Sequence, residues 1–312
     1  MTYFLFILGF IFLIKGADFL VDGASSLSKR LGISSLIIGL TVVAFGTSAP
    51  ELVVSVLASL EGHNELAIGN IIGSNTANVL LILGVSALIA PLAVKRQTVL
   101  KEIPFAILAI VILFIFLQDS LINGAAESML SRGEGLALLS FFAVFIYYTF
   151  VASASSKEEE EIPDMKLSTS IVFIILGLIG LTFGGRWIVD GAILIAQNFG
   201  ISEAVIGVTI VAIGTSLPEL ATAGVAAYKG ETDLAIGNIV GSNIFNIFLV
   251  LGINASIQNI PYNTVMNTDL YVAIISIVLL FLFIIFSKHH KISKSHGVIF
   301  LVCYVVYLGS LF

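Results

Sequence analysis

The feature that most restricts the folding of this chain is its division into apolar runs of bilayer length. Stretches near 2–23, 33–60, 66–92, 103–118, 135–153, 168–196, 202–228, 234–256, 267–287 and 295–312 are apolar, with short charged patches between them. A helix that crosses a bilayer needs about 20 such residues. In lipid, only helices and closed barrels satisfy their own backbone groups. Charged residues make up 11% of the chain, against about 25% in a soluble domain. The expected fold class is an all-α integral membrane protein with ten transmembrane helices. The first run, Tyr3 to Val21, has no basic start and no small-residue cleavage site, so it reads as a retained span and not a signal peptide.

Ten spans place the loops alternately on two sides. One side collects Lys29, Arg30, Lys95, Arg96, Lys101, Lys157, Lys166, Lys229, Lys288, Lys291 and Lys294; the other has Arg132, while Lys15 and Arg186 fall within spans. Basic loops stay in the cytoplasm, which predicts a cell-membrane protein with both termini outside. The joint 154–167 is then cytoplasmic, and its run Glu158–Glu161 reads as a solvated acidic linker. Because that run carries four of the acids, the net charge of −6 says little about partners. The lipid bilayer is an expected partner and nucleic acid is not, and a monomer suffices for function whatever the oligomeric state. Cys303 stands alone, and His63, His289, His290 and His296 are too scattered for a transition-metal site.

The two halves repeat. A shift of 168 residues aligns Val21-Asp22-Gly23 with Val189-Asp190-Gly191, and Gly39–Glu51 with Gly207–Glu219 at nine of thirteen positions. Without a gap, Leu66–Asn78 then matches Leu234–Asn246 at ten of thirteen. Five spans per half is an odd number, so the second half enters the membrane from the opposite side. The expected domains are a first five-helix repeat at 1–153, the linker, and an inverted second repeat at 168–312, an architecture used by secondary transporters.

Within these repeats, VVAFGTSAPELVVS at 42–55 and IVAIGTSLPELATA at 210–223 each set a glutamate in an apolar run. A carboxylate at the bilayer centre costs at least about 2.5–3.5 kcal/mol, so Glu51 and Glu219 need a cation, a proton or a basic partner. Lys15 and Arg186 are not equivalent under the shift and serve a symmetric pair poorly; each is expected to snorkel or to pair with Asp18 or Asp190. Asp22 and Asp190 read as interfacial. Ala44, Thr47 and Glu51 share one helical face. Pro50 and Pro218 have no N–H and push away the carbonyl four residues back, which predicts helices opened at Gly46 and Gly214. Carbonyl, hydroxyl and carboxylate oxygens are hard ligands that suit Ca²⁺ and Na⁺.

The second matched motif, AIGNIIGSNTAN at 67–78 and AIGNIVGSNIFN at 235–246, sets Asn70, Ser74 and Asn78, and again Asn238, Ser242 and Asn246, in one polar stripe. Asn75 and Asn243 lie one step off it. The plain alternative is helix packing through the GxxxG pairs Gly69/Gly73 and Gly237/Gly241; both readings can hold together. Two ionised glutamates neutralise one Ca²⁺ or two Na⁺. The two ions then compete for one site, and a site reached alternately from each side gives antiport.

At GTSAPE, GTSLPE and the paired GN-I-x-GSN-x-x-N segments, the sequence resembles the cation/Ca²⁺ antiporter superfamily, in particular its prokaryotic Na⁺/Ca²⁺ exchanger branch. The resemblance implies electrogenic exchange of several Na⁺ for each Ca²⁺, with no cofactor beyond the transported ions. It also implies a midplane cluster of four cation sites held by Glu51, Glu219, Thr47, Ser48, Thr215, Ser216, Ser74, Asn78 and Ser242, and by the backbone carbonyls of Ala44 and Ala212. The first and sixth helices would slide over the rest to switch access. Position 246 is Asn where some archaeal exchangers and the K⁺-dependent branch carry Asp, which points to K⁺-independent exchange with Asn246 as a neutral ligand. Rival readings are a Ca²⁺/H⁺ antiporter, since paired carboxylates carry protons, and a passive cation channel. No nucleophile–base pair lies near either glutamate, so an enzyme is not expected.

Overall fold

The computed structural model describes residues 2–311 except 96–97, 99, 123, 125–126, 156–164, 200–211 and 288–289. The acidic run Glu158–Glu161 and the start of the expected segment 202–228 thus lie outside the described residues. The chain forms helices α1 (Thr2–Leu31), α2 (Ser35–Thr47), α3 (Ala49–Leu60), α4 (Leu66–Ile89), α5 (Glu102–Phe116), α6 (Arg132–Ser155) and α7 (Leu167–Asn198). These are followed by α8 (Ala212–Thr215), α9 (Leu217–Lys229), α10 (Thr232–Ile257), α11 (Asn267–Phe286) and α12 (Lys294–Ser310).

Among the described residues, α1, α4, α6, α7, α10 and α11 are long and apolar enough to cross a bilayer, and the bent pair α2–α3 makes a seventh. α5 and α12 are apolar but shorter. Burial sorts them into layers. In α10, 94% of the apolar span is buried and in α4 78%, against 33% in α1, α7 and α11 and 22% in α6. α4 and α10 form the centre. The outer helices turn large apolar side chains outward, among them Phe4, Phe150 and Val305, as helices facing lipid do.

α1 and α7 pack along a seam of glycines. A Cβ at Gly16 would lie 2.7 Å from the Leu181 backbone nitrogen, and one at Gly184 2.6 Å from that of Leu13. Gly9 meets the Gly184 carbonyl, and Gly177 meets the Gly16 carbonyl. Rising numbers on one helix face falling numbers on the other, so the two run antiparallel. The contacts reciprocate under the 168-residue shift: Gly23 packs on Ile174, and Gly191 packs on Phe6. Lipid offers no hydrophobic drive between helices, so backbone approach through small residues supplies the contact.

Two short antiparallel ladders join loop ends. β1 (Leu92–Ala93) pairs with β4 (Lys291–Ile292), and β2 (Ser128–Leu130) with β3 (Ile260–Tyr262). Leu92 and Ile260, the first residues of β1 and β3, again stand 168 apart.

The basic residues inside spans pair locally. Lys15 Nζ lies 3.3 Å from Asp18, and Arg186 Nε 3.8 Å from Asp190. Asp22, expected at an interface, is held from α9 by Lys229 at 2.8 Å, and the same ammonium reaches Asp18 at 3.3 Å.

Candidate ion-binding site

The helix carrying Glu51 bends by 43° between Thr47 and Ala49, and the break falls at Ser48 (φ −85°, ψ 3°). Ser216 has the same conformation (φ −89°, ψ 4°) ahead of α9. This corrects the expected opening at Gly46 and Gly214: both glycines remain in helical turns, Ala44–Thr47 and Ala212–Thr215. Pro50 and Pro218 sit in the first turn of α3 and α9, where a missing N–H costs no hydrogen bond. The glycines serve packing instead. A Cβ at Gly46 would lie 2.4 Å from Leu178 Cδ2, and one at Gly214 2.3 Å from Val189 Cγ2, both on α7. The Ala44 carbonyl accepts the Ser48 N–H at 3.0 Å, whereas the Ser216 N–H bonds the Ile213 carbonyl at 3.1 Å. Ala44 is buried; for Ala212 only the backbone is described.

The breaks bring residues of the two repeats together. Glu51 and Glu219 are each 1% exposed. Ser48 Oγ donates to Glu219 Oε1 at 3.1 Å and Ser242 Oγ to the same oxygen at 3.4 Å. Thr47 also reaches the Glu219 carboxylate, while Thr215 and Ser74 reach that of Glu51. Each carboxylate thus receives a threonine from the other repeat and a serine from its own. Thr47 Oγ1 donates to Asn238 Oδ1 at 3.0 Å, and its counterpart Thr215 to Asn70 Oδ1 at 3.3 Å. Ser216 Oγ bonds Ser74 Oγ at 3.3 Å. One oxygen of each carboxylate, Oε2, is buried without a hydrogen-bond partner. No ion pair found among the described residues involves either glutamate.

Asn78 and Asn246, both buried, follow Ser74 and Ser242 one helical turn later on α4 and α10. Asn78 Nδ2 donates to Asn243 Oδ1 at 2.9 Å, and Asn246 Nδ2 to Asn75 Oδ1 at 3.1 Å. A π-helical turn begins at Asn78 in α4, and another spans Phe245–Leu251 in α10, a distortion often found at functional sites. The structure thus joins the glutamates to the threonines and serines of both repeats, with Asn70 and Asn238 of the stripe bonded to the threonines, while Asn75, Asn78, Asn243 and Asn246 form a hydrogen-bonded group of their own. A single-stripe reading misses Asn75 and Asn243 because α4 and α10 are buried on nearly every face. Their place in the repeated motif was the available signal.

The polar side chains gathered here are two carboxylates, six hydroxyls and six carboxamides, hard oxygen groups with no imidazole or thiolate among them. Such a set can hold Na⁺ or Ca²⁺ and suits zinc or copper poorly. The profile of the sodium/calcium exchanger protein family matches residues 1–151 and 169–312. The chain belongs to the sodium/calcium exchanger family. It is 32% identical to the sodium/calcium exchanger MaX1 of Methanosarcina acetivorans over 348 residues, covering 100% of this chain and 98% of that protein. The fold superposes on the sodium-calcium exchanger NCX_Mj with a TM-score of 0.83 at 34% identity, covering 100% of this chain and 99% of that one. The Ca²⁺/H⁺ antiporter ChaA of Bacillus subtilis is 28% identical over 221 residues, 66% of this chain and 63% of its own length. As a member of the exchanger family the chain is a multi-pass membrane transporter and not an enzyme.

Proposed function

We propose that the chain exchanges Na⁺ for Ca²⁺ by alternating access at the Glu51–Glu219 site. One observation carries this reading: two buried carboxylates from distant segments share one hydroxyl-lined cluster, each with an open oxygen and neither with a basic partner among the described residues. Buried charge of this kind is tolerated when a cation neutralises it. Glu51, Glu219, Thr47, Ser48, Thr215, Ser216, Ser74, Ser242, Asn78 and Asn246 are the side-chain ligands, and Ala44 and Ala212 contribute carbonyls. One Ca²⁺ or two Na⁺ balance the two charges, so each ion species excludes the other from the centre. Transport of more than two Na⁺ per Ca²⁺ makes the exchange electrogenic, and a neutral Asn246 makes it independent of K⁺.

The architecture behind this is ten spans in two inverted five-helix repeats, 1–153 and 168–312, joined by a cytoplasmic linker at 154–167. The reciprocal contacts of α1 with α7 and of the two ladders support it. The basic loops favour termini outside. α1 and α7, in backbone contact along their glycines, move as one body past the site.

Likeness to the antiporter ChaA and the carboxylate pair itself favour a second reading, Ca²⁺/H⁺ exchange. The hydroxyls and amides speak for Na⁺, because proton carriage needs titratable groups and gains little from the others. Uptake of ⁴⁵Ca²⁺ into vesicles decides: at fixed pH an outward Na⁺ gradient should drive it, and a pH gradient without Na⁺ should not. The reverse result would replace Na⁺ by H⁺.

A further inference from the structure

Among the described residues neither Asn75 nor Asn243 hydrogen-bonds a carboxylate, yet each holds one end of a neighbouring carboxamide. A primary amide presents an NH₂ donor at one end and a carbonyl oxygen at the other, and only the oxygen can face a cation. From this geometry we infer that Asn75 and Asn243 are positioning residues that set which end of Asn246 and Asn78 meets the ion. The inference rests on the exchange reading above.

The order of bonds has a direction. The Asn243 backbone carbonyl can only accept, and it accepts from Asn75 Nδ2 at 3.3 Å. That fixes Asn75 with its Oδ1 turned to Asn246, whose Nδ2 donates to it at 3.1 Å. Asn246 Oδ1 is then the free end. From the opposite repeat, Asn243 Oδ1 takes Asn78 Nδ2 at 2.9 Å and frees Asn78 Oδ1. Both oxygens are buried and without a hydrogen-bond partner, although all four side chains are at most 5% exposed. One orphaned acceptor could be a packing accident. Two, related by the 168-residue repeat and each left by an amide whose NH₂ is taken, have a common cause. Plain helix adhesion would satisfy both ends of each amide, since an unpaired buried oxygen is unfavourable.

The test uses full-length protein, with Ca²⁺ binding read by calorimetry in detergent and Na⁺-driven ⁴⁵Ca²⁺ uptake in liposomes. Asn75→Leu and Asn243→Leu remove the acceptor and let the partner amide rotate its NH₂ inward. Each should weaken Ca²⁺ binding and raise KM by about tenfold, with Vmax changed far less. Asn243→Asp keeps the acceptor oxygen and should return KM to near the wild-type value. Adding Asn243→Leu to Asn78→Ala should cost nothing further, because its effect passes through Asn78. Where a leucine does not fold, Asn75→Ala or Asn243→Ala removes the acceptor without added bulk. Wild-type KM in the leucine or alanine variants, or N243D no better than N243L, overturns the assignment and leaves the exchange reading intact. If wild-type protein binds Ca²⁺ but shows no Na⁺-driven uptake, the exchange reading falls, and the calorimetric series still decides this one.

Discussion

Ser48 Oγ donates to Glu219 Oε1 at 3.1 Å, across 171 residues of sequence. Ser48 is the residue at which the first broken helix bends, and Glu219 lies in the first turn of the helix after the second break. The bond therefore ties the two breaks together. Thr47 and Asn238, with their counterparts Thr215 and Asn70, repeat the tie from both sides. A site assembled in this way belongs to neither repeat alone, and each carboxylate depends on groups in the other half.

Replacing either carboxylate should therefore disable the whole site. Glu51→Gln or Glu219→Gln removes half of its negative charge and turns an NH₂ toward hydroxyls that served an anion. Na⁺-driven ⁴⁵Ca²⁺ uptake in proteoliposomes should fall by about two orders of magnitude in each variant. Uptake close to wild type in either would remove that glutamate from the site.

Transport should ignore K⁺ and respond to voltage. Replacing K⁺ by choline on both sides should leave Ca²⁺ uptake unchanged, because Asn246 brings no third carboxylate. If more than two Na⁺ leave for each Ca²⁺ that enters, an inside-positive potential should accelerate uptake. A requirement for K⁺ on the Ca²⁺ side would contradict the neutral role given to Asn246.

Backbone contact between α1 and α7 predicts a sharp size limit at its glycines. Gly16→Val and Gly177→Val must push the helices apart, since even a Cβ would lie within 3 Å of backbone atoms. Each should destabilise the protein by about 1–3 kcal/mol, seen as a lower melting temperature in detergent. Gly224→Ala, whose Cβ would meet Ile89 Cδ1 at an ordinary 3.5 Å, should be neutral or mildly stabilising. Equal melting temperatures for all three would refute the seam.

Sidedness can be read with single cysteines. In a Cys303→Ala background, a cysteine replacing Arg132 should react with an impermeant maleimide on intact cells. One replacing Lys294 should react only after permeabilisation. The opposite pattern would invert the topology.

Much of the site is legible in the order of residues along the chain. The setting of Glu51 and Glu219 is written twice, 168 residues apart, and an acid inside an apolar run needs a cation, a proton or a basic partner wherever the helices lie. The positions of the breaks are less legible. Proline rules point to Gly46, but a proline in the first turn of a new helix disturbs nothing, so the bend falls at Ser48 and Gly46 becomes a contact for Leu178.

Sequence alone determined the apolar runs, the 168-residue repetition of motifs and the oxygen-bearing side chains, because hydropathy, spacing and side-chain type are properties of the chain taken locally. Tertiary structure decided which faces meet. Only the crossing of α4 with α10 sets Asn75 against Asn246 and Asn78 against Asn243, and so chooses the end of each amide left free. Helical periodicity orients a side chain about its own axis, whereas the partner across the gap depends on how two helices 168 residues apart cross.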